Sequence, residues 1–106
     1  MDNFKAVFRI LSSLEAQMDL PQANTEAFCA DALGVSEERW KKYIEMMADV
    51  GYIRGVSVRE YADGGRRINT DAIRITLKGL EYLQENSMMR KVHNALKGIK
   101  EITPGI

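Results

Sequence analysis

The sequence predicts an α+β fold that is mostly helical, and three observations predict it. Thr25 to Gly55 reads as a short helix, a tight turn at Gly34-Val35-Ser36 and a longer helix. Alternating apolar and polar residues follow, broken by Asp63-Gly64-Gly65, which is the pattern of a hairpin. Helical stripes then flank this unit, one before it and two after Thr76. Two helices joined by a Gly-containing turn, then a hairpin, is the layout of a winged helix-turn-helix with a two-stranded wing. An extra C-terminal amphipathic helix completes it. With 106 residues and no internal repeat or low-complexity segment, the chain 1–106 reads as a single winged-helix domain.

The first helix is expected over about 3–18. Phe4, Val7, Phe8, Leu11, Leu14 and Met18 fall on one stripe, and Pro21 disfavours the helical region for Leu20. Ile10 lies off that stripe and reads as a surface residue. The second helix is expected over 25–33, with Cys29 as a small buried hydrophobe. Gly34 supplies the left-handed residue that ends it, and Ser36 caps the third helix, 37–50. Glu37 and Glu38 suit the positive end of that helix dipole. Trp40, Tyr43, Ile44 and Met47 form its inward face, Trp40 largely buried, while Glu38, Lys42, Glu45 and Asp49 turn outward.

The wing is expected between about 52 and 76. Pairing Ile53 with Ile75 places Tyr61 opposite Arg67, and Asn69-Thr70-Asp71 are poor strand formers that interrupt the second strand. Thr76 caps a fourth helix, 77–86, with Leu77, Leu80 and Leu83 pointing inward. A fifth helix is expected over about 88–102. Met88, Val92, Ala95, Ile99 and Ile102 make its apolar stripe, with Arg90, His93, Lys97 and Lys100 on the other side. Gly98 costs this helix about 1 kcal/mol relative to Ala, so it needs a packing partner, either the protein's own first helix or a second copy.

Fifteen Lys/Arg balance fifteen Asp/Glu, so overall charge points to no partner. Its distribution does. Residues 1–35 carry two bases against five acids, 51–75 five against three, and 87–106 four against one. The basic surface therefore lies in the wing and the terminal helix. One Cys and one His exclude an internal disulfide and a His/Cys metal cluster, and Gly64-Gly65 lacks a phosphate-loop pattern. Glu37 and Glu38 are explained by the dipole, and a Cys29–His93 dyad would have to join distant segments. The chain reads as no enzyme, with no cofactor. No run approaches the roughly 20 apolar residues of a membrane span and no signal peptide is seen, which predicts a cytoplasmic protein.

GYIRGV after a helix, then ITLKGLEYLQEN, then the basic amphipathic terminal helix resembles the YjcQ-like family of small winged-helix proteins. The resemblance covers Phe4 to about Ile102. It implies a winged helix and a setting in bacteria and their prophages, and it offers no catalytic residues to carry over. Thr76 to Leu83, Thr-x-Lys-Gly-x-x-Tyr-Leu, also resembles a motif of MarR-like and PadR-like regulators.

Two functional readings follow. The first is a DNA-binding module or small regulator. It would contact duplex DNA through Arg59, Arg66, Arg67 and Arg74 of the wing and Arg90, Lys97 and Lys100 of the terminal helix, with Arg39, Lys41 and Lys42 on the third helix. Arginines clamp phosphate well. The second is a protein-interaction winged helix that uses the acidic third-helix face without DNA binding. Either would be a monomer or a weak homodimer.

Overall fold

A computed structural model describes residues 2–86 of the chain. The expected fifth helix, with Arg90, Lys97 and Lys100, lies outside the described residues.

Helix α1 spans Asn3–Ala16. Asp2 starts it, its carboxylate accepting from the Phe4 N–H at 2.8 Å and the Lys5 N–H at 3.2 Å. The buried side is Ala6, Phe8, Ile10, Leu11 and Leu14. This corrects the expected stripe at both edges, because Ile10 is fully buried and Phe4 is 66% exposed. The reason is that α1 packs against the fourth helix, the last strand and the turn following Asn24. Covered from several sides, it buries an arc wider than one stripe, while Phe4 stands at its open end.

The expected second helix is split. A 3-10 helix, Thr25–Phe28, is followed by α2, Ala30–Leu33, with Cys29 extended between them. Phe28 takes the buried place. Cys29 is only half-buried, its thiol directed at the Glu26 carbonyl at 3.5 Å, so it is no core hydrophobe. Gly34 ends α2 with φ 69°, a conformation that Gly adopts without the steric cost a Cβ brings. Helix α3, Glu37–Asp49, begins at Ser36, whose hydroxyl accepts from the Arg39 N–H at 3.1 Å. It buries Tyr43, Ile44 and Met47. Trp40 is half-buried, because its indole N–H donates to the Phe28 carbonyl at 2.8 Å and holds the ring at the core's edge.

The hairpin consists of two antiparallel ladders. Strands β1, Ile53–Arg54, and β4, Arg74–Ile75, pair with Ile53 opposite Ile75, as expected. Strands β2, Ser57–Glu60, and β3, Arg66–Asn69, continue outward, with Arg59 opposite Arg67. Tyr61 therefore does not face Arg67. Residues 70–73 of the second side oppose only 55–56 of the first, which shifts the register by two. The interruption falls where Asn69-Thr70-Asp71 predicts it, and the Asn69 side chain accepts from the Asp71 N–H at 2.8 Å. Gly55, at φ 82°, lies against the Ala72 backbone, and a Cβ there would collide with the Ala72 carbonyl.

Helix α4, Leu77–Glu85, is capped by Thr76, whose hydroxyl accepts from the Gly79 N–H at 3.2 Å and donates to the Gly51 carbonyl. Gly79 and Leu83 are buried, whereas Leu77 is 74% exposed. Three-residue steps fall short of a full turn by about 60° each, which carries Leu77 about 120° from Leu83. The core joins α1, Phe28, Leu33, α3, Ile53, Ile73, Ile75 and Leu83. Among the described residues no helix is long and apolar enough to cross a membrane. Ile10→Ala is expected to cost about 2–5 kcal/mol in urea unfolding, and Leu77→Ala less than about 0.5 kcal/mol. Equal losses would show that the burial of these two side chains is misassigned.

Candidate nucleic-acid interface

The hairpin has two faces, and its register decides what each presents. Successive side chains of a strand alternate, so Val58 and Glu60 share one face with their partners Ile68 and Arg66. Ile68 packs against the core and Arg66 reaches α3, so this face is turned inward. Arg59 and Arg67 stand opposite each other on the outward face, both exposed. Arg54 and Arg74 form a second directly opposed pair, on the side away from the buried Ile53 and Ile75. Like charges directly across a ladder destabilise it. Among the described residues no acid forms an ion pair with any of these four.

Arg66 differs. Its guanidinium lies 2.5 Å from Glu45 Oε1 of α3 and 3.9 Å from Glu60 Oε1, and the Lys41 ammonium donates to the Arg66 carbonyl at 3.0 Å. Lys41 also lies 3.5 Å from Glu38. One turn of α3 therefore holds the base of β3 through Lys41 and Glu45, one turn apart on the helix. The Glu45 side chain is only 20% exposed. Two acids of the expected outward acidic face are thus already engaged within the chain.

The other predicted bases diverge. Arg39 donates to the Asn3 side chain at 3.3 Å, and the Tyr43 hydroxyl donates to the same oxygen at 2.5 Å. That contact directs Arg39 towards the start of α1. Lys42 is exposed and lines a groove of about 640 Å³ between α1, α3 and Tyr82. The structure thus brings Arg59 and Arg67 together, and places Arg74 beside a partner that sequence reading missed, Arg54. The signal for Arg54 was present, since pairing Ile53 with Ile75 sets 54 opposite 74.

Phe4, Val7, Met46, Val50 and Tyr52 also line the groove. The Tyr52 and Tyr82 rings lie 5.0 Å apart, tilted by 41°. Burial, then the Tyr52 phenol and the Asp2 carboxylate, raise the Tyr82 phenol above its ordinary range, so it stays protonated at neutral pH. Among the described residues no group of three or more His, Cys, Asp or Glu could hold a metal ion.

The family described as YjcQ protein matches residues 8–102. The chain belongs to the YjcQ family. Neither a curated protein nor a solved structure matches it. The family match takes in the hairpin arginines, the Glu45–Arg66 contact and the segment beyond Asn86.

The clasp between α3 and β3 is measurable. A double-mutant cycle of Glu45→Ala and Arg66→Ala by urea unfolding is expected to give a coupling of about 0.5–1 kcal/mol, weakening in high salt. A coupling of zero would show that the two side chains do not hold the hairpin to α3.

Proposed function

We propose that this YjcQ-family chain is a non-enzymatic winged-helix module that grips the backbone of duplex DNA with its wing, the hairpin of β1 to β4. The observation that carries this reading is the two opposed arginine pairs, Arg54–Arg74 and Arg59–Arg67, exposed and without acidic partners among the described residues. Such pairs cost the hairpin stability that a phosphate between them returns. Arg66, by contrast, is committed to Glu45 and Glu60.

Charge polarity supports the same orientation. The first 35 residues carry two bases against five acids, whereas 51–75 carry five against three. A phosphate backbone is therefore drawn to the wing and repelled from the α1 side. Helix α3 contributes little base reading, because Lys41 and Glu45 face the hairpin and Arg39 faces Asn3. Phosphate contacts position a protein without specifying sequence, so the affinity is largely sequence-independent. The protein-interaction reading through the acidic α3 face is weakened by the pairing of Glu38 with Lys41 and of Glu45 with Arg66.

Fluorescence anisotropy on random duplex tests this. Four phosphate contacts give a slope of log affinity against log salt of roughly −3 to −4. Replacing Arg59 and Arg67 together by Gln is expected to flatten the slope by about 2 and to weaken all sequences alike. Arg66→Gln should flatten it by less than about 0.5, because that guanidinium is already spent. Binding that is absent at low salt, or that ignores the Arg59/Arg67 change, would refute a wing-led DNA contact.

A further inference from the structure

We propose that the groove between α1, α3 and Tyr82 is the seat of the chain's own segment 88–102, docked as an amphipathic helix. The groove floor is apolar and open. Phe4, Met46 and Val50 are exposed large hydrophobics, and Val7, Tyr52 and Tyr82 continue the surface between them. Three exposed apolar side chains converging on one groove mark a surface that is covered in the working protein.

The occupant is indicated by four observations. Met88, Val92, Ala95, Ile99 and Ile102 recur at steps of four and three, which makes a single apolar stripe on a helix. Fifteen helical residues extend about 22 Å, enough to run along a groove bounded by α1 and α3. Tyr82, itself a groove residue, is followed at once by the end of α4 at Glu85, so the chain leaves α4 at the groove's rim. The family match runs to residue 102, the last position of the stripe, so the segment belongs to the same unit as the groove.

Charge favours the same closure. Residues 87–106 carry four bases and one acid, or +3, which leaves residues 1–86 at −3 of a net charge of zero. A basic segment is therefore attracted to the body it is tethered to. Tethering also decides between the segment and a second copy. A short link gives an effective concentration of about millimolar, which a second chain at micromolar concentration does not match. Docking by the stripe turns Arg90, Lys97 and Lys100 away from the groove and covers Met46 on α3. The inference stands on the groove and the stripe, independently of any contact with DNA.

Limited trypsin digestion of the full chain tests it, since Arg90, Lys91, Lys97 and Lys100 are four cleavage sites within the segment. Met46→Asp, at an exposed position, should speed cleavage at these sites at least about tenfold while sites within the α1–α4 body are unchanged. The wild-type rate should not depend on protein concentration. Equal cleavage in the two proteins overturns the proposal. Protection that grows with concentration overturns it in favour of a second copy.

A cysteine series keeps the question decidable if Met46→Asp does not fold. With Cys29→Ser and Met46→Cys in place, a second cysteine is put at Val92, Ala95 or Ile99, or at His93 or Lys97. At least one stripe position should form an intramolecular disulfide about tenfold faster than either polar-face position. Equal rates, or disulfides that form mainly between chains at low micromolar concentration, refute it.

Discussion

Thr76 ties together the parts that carry the functional surface. Its N–H donates to the Tyr52 carbonyl at 3.0 Å, its hydroxyl donates to the Gly51 carbonyl, and the same hydroxyl accepts from the Gly79 N–H. The turn after α3, the strand β1 and the start of α4 therefore meet at one side chain. Buried backbone groups that lose a partner carry a desolvation cost of about 1–3 kcal/mol each, so these contacts are held together. They set the angle at which the hairpin leaves α3. That angle in turn allows Arg66 to reach Glu45.

The contact between Arg66 and Glu45 has a consequence for α3. A helix that lies free after a turn can be offered to a groove in DNA or to a partner. Here its Lys41 and Glu45 side is taken by β3, and its Arg39 side leans on Asn3. The charges left outward belong to the hairpin. A functional surface has been moved from the helix, where the helix-turn-helix layout leads one to look for it, to the strands beside it.

Much of this fold was legible in the residues. Gly34, Ser36 and Thr76 mark boundaries because each does something local that no distant contact overrides, and Ile53 and Ile75 found each other through alternation alone. What failed was long-range. Ile10 and Phe4 exchanged their expected surroundings because burial on α1 depends on which neighbours cover it, and a periodic stripe holds no information about neighbours. The commitment of Arg66 was hidden for the same reason, since Glu45 lies on another element. The second partner in each arginine pair was closer to hand: Arg54 follows from the register once Ile53 is placed, and Arg59 from the extra residues at 70–73.

Those extra residues also govern how this hairpin can change in length. Arg54 and Arg59 are an odd number of positions apart, as are Arg67 and Arg74, so strict alternation would send the two pairs to opposite faces. The turn at Gly55 and the loop opposite it absorb the odd step and bring both pairs to the outer side. Inserting one residue between Gly55 and Arg59 would rotate Arg59 towards Glu45 and exchange an outward cation for a second inward one. Inserting two would leave the outer face as it is. Length variation in this part of the hairpin is therefore tolerated in even steps, and a lineage that gained a single residue here would need a compensating one nearby.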